Sequence, residues 1–136
     1  MTKFLKVLGL AWLLALASPA VWANERALDK QVLVNATLDQ VWQAWTTRQG
    51  IVQFFAPDAN IDARPDGAFE IFFNPYAAPG DKGADGMRYL ALQPQQMLSF
   101  TWNAPPSLPA ARQQRTLVVV RFEAVGDKQE IGRAHV

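Results

Sequence analysis

The chain has no cysteine and a single histidine among its 136 residues. Without thiols it forms no disulfide, no zinc–cysteine site and no thiol nucleophile, so packing must hold it together. Charge is also sparse: 18% of residues are charged, and the formal net charge is +1. No basic patch interleaves with aromatics and no helix stacks cations, so nucleic acid is not expected as a partner. Long apolar runs are missing as well, with one exception near the amino terminus. Half the residues are hydrophobic, which suits one small globular domain.

The exception runs from Val7 to Ala17 without a charge, behind Lys3 and Lys6. Ser18 and Pro19 break it, and Val21-Trp22-Ala23 then offers small or aliphatic residues where a signal peptidase cuts. Residues 1–23 therefore read as a cleavable secretory leader, and the product as periplasmic or secreted. A membrane anchor is the competing reading, but the 11-residue run falls short of the roughly 20 that a spanning helix needs. No membrane span is expected after cleavage, and the lack of cysteine excludes a lipoprotein anchor. Lys3 and Lys6 account for two of the 13 basic residues, leaving 11 against 12 acids beyond the leader.

The last seven residues, EIGRAHV (130–136), look foreign. They are the translation of GAG ATC GGA AGA GCA CAC GTC, which from its second base resembles a short-read sequencing adapter whose next codon is a stop. On that reading the natural domain occupies 24–129, and His135 is left out of every site.

Between leader and tail no repeat or linker divides the chain. Ala27 to Val34 reads as a strand, with Leu28, Val32 and Val34 on one face. Thr37 and Gln40 form a capping box, and Leu38, Val41, Trp42 and Trp45 make an apolar helix face. A second short helix covers Gln49 to Phe55. Period-two alternation then predicts half-buried antiparallel strands at Ala59–Ala63, Phe69–Phe73, Met87–Leu92, Leu98–Asn103 and Thr116–Ala124. Asp66-Gly67 and Pro94-Gln95-Gln96 are tight turn signals. The loops Asn74–Gly86 and Asn103–Arg115 are long and rich in proline. In an up-down meander both lie at one end of the sheet, where a pocket mouth is expected.

This order, with Val41-Trp42-Gln43-Ala44-Trp45-Thr46 on the first helix and Asp66-Gly67-Ala68-Phe69-Glu70 after the second strand, resembles the SRPBCC superfamily. That is the START, polyketide-cyclase and birch-pollen-allergen type of helix-grip fold. Met97-Leu98-Ser99-Phe100-Thr101-Trp102 and Arg115 to Glu123 resemble its branch named after the C-terminal domain of the activator of Hsp90 ATPase. The resemblance covers nearly all of 27–129. It implies an α+β fold in which a curved antiparallel sheet grips a long C-terminal helix, with a ligand cavity between them. The last strand and that helix are expected to be missing here, because the foreign tail begins where the strand should start. Asp66 also replaces the first glycine of the family's usual Gly-Gly turn.

The apolar stripe Phe69, Ile71, Phe73, Phe100, Trp102, Val118, Val120 and Phe122 is the expected cavity lining, which in this fold overlaps the core. Pro75, Tyr76, Pro105 and Pro106 are the expected rim. Glu70 sits by alternation on the outer face, as a structural, solvated residue and not a general acid. Arg88, Arg112, Arg115 and Arg121 read as surface charge or cross-strand partners of Glu123 and Asp127. No catalytic residue, metal ligand or cofactor is assigned, and no oligomeric state follows. Two functions remain: a binder of a small apolar or amphipathic molecule, or a cyclase- or hydrolase-type enzyme using the same cavity. The shortage of histidine and cysteine favours the binder. Activation of a cytosolic chaperone does not suit an exported protein. Mass spectrometry of the exported protein is expected to find Asn24 at the new amino terminus; an intact Met1 on membrane-bound protein would contradict the leader.

Overall fold

The structure, a computed structural model, describes residues 26–126 and 129–135. The expected leader lies outside them, as do Asp127 and Val136. Seven strands and three helices follow in the order β1 (Asp29–Val34), α1 (Leu38–Thr46), α2 (Arg48–Phe54), β2 (Asp58–Ile61), β3 (Phe69–Phe72), β4 (Tyr89–Gln93), β5 (Met97–Asn103), α3 (Pro109–Arg112), β6 (Arg115–Val125) and β7 (Gln129–His135). Five strands form one antiparallel sheet in the order β1-β7-β6-β5-β4, and β2 and β3 pair separately. The fold is α+β and the barrel is not closed.

Local chemistry places the helices. The Thr37 hydroxyl accepts from the Gln40 backbone amide at 3.2 Å, while the Gln40 side chain accepts from the Thr37 amide at 2.8 Å. This closes the capping box and satisfies two otherwise orphaned donors. Thr47 ends α1 and starts α2: its hydroxyl donates to the Gln43 carbonyl at 2.8 Å and accepts from the Gly50 amide at 2.9 Å. A Cβ on Gly50 would lie 2.3 Å from the Gln43 carbonyl oxygen, so only glycine lets α2 leave α1 this closely.

The core lies on one face of the five-stranded sheet. Leu98 and Phe100 on β5 and Val118, Val120 and Phe122 on β6 are buried there, and register sets Leu98 opposite Val120 and Phe100 opposite Val118. The apolar face of α1 packs on this layer, with Trp42 edge-on to Phe122 at 5.9 Å and Trp45 stacked on Phe100 at 6.1 Å. From the other side β3 contributes Phe69 and Ile71, with the Phe69 and Phe100 rings 3.9 Å apart between centroids. The sheet's inner face thus finds cover from α1, α2 and the β2–β3 pair. Beyond it, Leu28, Val32 and Leu33 at the β1 edge stay more than half exposed.

Four expectations are corrected. The place of the last strand is not empty: residues 129–135 form β7, paired from Asp29↔His135 to Val34↔Glu130 with β1 and from Val119↔His135 to Val125↔Gln129 with β6. A strand ladder is built from backbone groups that every non-proline residue carries, so it makes little demand on side-chain identity. The connection at Asp66-Gly67 is not a tight hairpin but a loop over 62–68. It is closed by the Asp62 amide on the Ala68 carbonyl, with Asp66 at a φ of 61°. The sheet is not one continuous meander: β3 and β4 share no ladder, and isolated bridges join Ala68 to Arg88 just before the two strands and Phe72 to Gly83 in the loop between them. And the second long loop contains a helix, α3. No helix among the described residues is longer than α1's nine residues, and none is long and apolar enough to cross a membrane.

Tyr89 ties the two layers together. It is fully buried on β4, and its hydroxyl donates to the Trp45 carbonyl at the end of α1 at 2.7 Å. Burial, with a smaller contribution from the Asp62 charge, pushes its pKa well above the ordinary value. Tyr89→Phe is expected to cost about 1–3 kcal/mol in chemical unfolding, since a buried carbonyl loses its donor. Because the folded state holds the phenol proton more tightly, this group's stabilisation is complete below the ordinary tyrosine pKa of about 10 and is lost as pH rises above it. The wild type should therefore lose more stability above pH ~10 than the Phe variant; parallel losses would contradict the assignment.

Candidate functional site

The site grows from the two long loops, 73–88 and 104–114. Pro109 at the first helical position starts α3, where its fixed φ suits the turn and its missing N–H costs nothing. One turn later the helix delivers Arg112. Its Nη1 donates to the Ala104 carbonyl at 2.6 Å, within its own loop. Its Nη2 reaches across to the other loop, donating to the Gly80 carbonyl at 2.6 Å and to Asp85 Oδ2 at 3.2 Å. Asp85 in turn accepts from the Gly80 amide on Oδ1 at 3.0 Å and from the Gly83 amide on Oδ2 at 2.8 Å. Both side chains are only 14% exposed. A pair this sheltered is stabilised because each partner also bonds backbone groups. The result is a clasp that fastens the tip of one loop to the root of the other.

Between the clasped loops lies a cleft of about 530 Å³. Phe73, Lys82 and Gly83 line one side; Trp102, Asn103, Pro105 and Pro106 line the other. Phe73 stands edge-on to Trp102 at 6.3 Å, and Trp102 is stacked on Phe55 at 5.9 Å. The apolar corner is thus an outward continuation of the core's aromatic layer. Gly83 has to be glycine: a Cβ there would fall 2.3 Å from the Ile71 carbonyl oxygen and 3.0 Å from the Phe73 ring. That close approach lets the loop fold back over β3, where the Ala84 amide donates to the same carbonyl at 2.8 Å.

Of the expected cavity residues, Phe73 and Trp102 line this cleft. Phe69, Ile71, Phe100, Val118, Val120 and Phe122 do not; each is at most 6% exposed and packed in the filled core. The reason is that Phe69 and Ile71 on β3 and the apolar face of α1 pack directly against Phe100, Val118, Val120 and Phe122, which leaves no gap between them. Of the expected rim, Pro105 and Pro106 line the cleft, whereas Pro75 and Tyr76 do not, and Tyr76 is 97% exposed. Glu70 is structural: its Oε1 accepts from the Gly86 amide and its Oε2 from the Asn60 side chain, both at 2.7 Å. Arg112 is not surface charge and pairs with Asp85 instead of Glu123. Arg88 donates to the Asp66 carbonyl at 3.0 Å and is 4.0 Å from its carboxylate. Sequence reasoning passed over Asp85 and Asn103. Their only local signals were a second Asp-Gly pair at the end of a glycine-rich loop and a polar residue at a strand end. Among the described residues no group of three or more histidine, cysteine or acidic side chains is placed to hold a metal ion.

Solved structures share this architecture. CalU16 from Micromonospora echinospora is 19% identical, with a TM-score of 0.59, over 80% of this chain and 56% of its own. The protein MLL2253 from Mesorhizobium loti is 20% identical, with a TM-score of 0.61, over 82% of this chain and 76% of its own. Aha1 from Colwellia psychrerythraea, solved as a dimer in solution, is 17% identical, with a TM-score of 0.59, over 81% and 74%. The chain thus spans little more than half the length of CalU16, and at these identities the likeness is one of fold. No curated protein sequence matches the chain. The family model described as activator of Hsp90 ATPase homolog 1-like protein matches residues 35–132, from the residues before α1 to β7, and with that span the chain belongs to this family, within the SRPBCC helix-grip superfamily.

Proposed function

We propose that the chain binds a small apolar or amphipathic molecule in the cleft between its two long loops, and that it does so outside the cytosol. The observation that carries the reading is the cleft itself: about 530 Å³, with Phe73 and Trp102 presented side by side at its wall. That volume falls in the range of small-molecule sites, about 300–1,000 Å³. Its lining mixes aromatic and proline surface with a few polar groups, as such sites do. The amino-terminal run behind Lys3 and Lys6 supports export.

Binding suits the lining better than cyclase or hydrolase chemistry does. A reaction centre needs titratable groups that converge on one point. The ionisable residues on this wall are Asp81 and Lys82, which are neighbours in sequence, and the Lys82 ammonium lies 5.3 Å from the centroid of the Phe72 ring.

Calorimetric titration with naphthalene, together with tryptophan emission, tests the reading. Naphthalene should bind and change the Trp102 contribution to the emission. Phe73→Ala is half-exposed in the native fold and should leave stability nearly intact while weakening binding about tenfold, the effect of losing roughly 1.4 kcal/mol of aromatic contact. Affinity unchanged by Phe73→Ala, or an emission change that persists in Trp102→Phe, would place the ligand elsewhere.

A further inference from the structure

Two polar residues are buried among the described residues, Ser99 and Asn103, and only Asn103 lies on the cleft wall. It is 9% exposed. Its backbone is taken up by β5, in register with Arg115 on β6. Its side-chain amide, which offers an acceptor and two donors, has no hydrogen-bond partner among the described residues. The polar side chains of Asp81 and Ser107 on the same wall are not buried, and the loop backbone groups nearby are spoken for. The Ala104 and Gly80 carbonyls take Arg112, and the Gly80 and Gly83 amides go to Asp85. A buried amide left unpaired is costly, and native structures seldom retain one without a use.

We infer that the Asn103 amide is the group that selects the ligand, by hydrogen-bonding a hydroxyl or carbonyl on an otherwise apolar, flat molecule whose body rests on Phe73 and Trp102. The inference rests on the cleft reading and narrows it from apolar ligands in general to those carrying one hydrogen-bonding substituent. A site built around a hydrogen-bonding group rejects the analogue that lacks the matching substituent, because its own buried group is then left unpaired.

The experiment compares 2-naphthol with naphthalene on the wild type and on Asn103→Leu, which is close in size. The wild type should prefer 2-naphthol about tenfold, the effect of one good neutral hydrogen bond. In Asn103→Leu the preference, read as the ratio of the two affinities in that variant, should fall to about one, whatever the added apolar surface does to both affinities together. The same variant should unfold at an equal or higher denaturant concentration, because it removes an unpaired buried amide and breaks no internal bond. If Asn103→Leu does not fold, Asn103→Ser keeps a shorter polar group and should show a reduced preference. A preference that survives substitution overturns the inference. So does a wild type that binds both probes equally, and in that case the cleft reading stands without it. Failure of both probes to bind the wild type sinks the cleft reading and the inference together.

Discussion

The contact between Arg112 and Asp85 fastens together the two long loops that wall the cleft. One long loop joins β3 to β4 and the other joins β5 to β6, and the ordering of such loops costs about 1–2 kcal/mol per residue in backbone entropy. Apolar burial offsets part of that cost at Ala84 and Met87, but Phe73 and Leu108 are about half exposed and Tyr76 almost wholly so. At the loop tips the offset is polar. One carboxylate gathers two loop amides and a guanidinium, and that guanidinium gathers two carbonyls, one from each loop. Removing either partner would strand a charge that is 14% exposed, and breaking pairs of this kind costs about 3–5 kcal/mol.

The clasp works because the core supplies a fixed base for it. Trp45, Phe100 and Phe69 pack face to face or tilted through the middle of the domain. Phe55, Trp102 and Phe73 carry the same layer outward to the cleft. The cleft therefore does not sit in a gap under the sheet, where the helix-grip fold suggests it. It sits at the loop end, where the aromatic layer runs out of helices to cover it. Asn103 lies at that boundary, the last residue of β5, close to apolar rings on one side and to the Arg112 anchor at Ala104 on the other.

How much of this was legible in the sequence follows from the range of each interaction. The Thr37–Gln40 box spans three residues, and both its members and its consequence could be read directly. Strands β5 and β6 could be read from period-two alternation, because Leu98, Phe100, Val118, Val120 and Phe122 recur at every second position and share the buried face. The helix face Leu38, Val41, Trp42 and Trp45 was legible for the same reason at period 3.6. The partition between core and cleft was not. Phe69 and Phe73 look alike in the pattern, and only the ends of β3 at Phe72 and the position of α2 decide that one is buried and the other half exposed. The clasp was invisible for a deeper reason. Arg112 and Asp85 are 27 residues apart, and nothing local tells an arginine that turns inward from one that faces water. The short helix α3 hid behind its proline, which reads as a loop-former until Ala110, Ala111 and Arg112 are seen to continue from it. Strand β7 was missed because backbone pairing asks little of side chains.

The central claim is that the clasp holds the cleft open, and a double-mutant cycle read in naphthalene affinity tests it most directly. Asp85→Asn, Arg112→Met and the double variant are titrated alongside the wild type under conditions where circular dichroism shows all four folded. Each single variant should weaken binding about tenfold or more, and the double variant should be no weaker than the worse single one, because both substitutions release the same loops. Wild-type affinity in either single variant, or losses that simply add in the double, would contradict the claim.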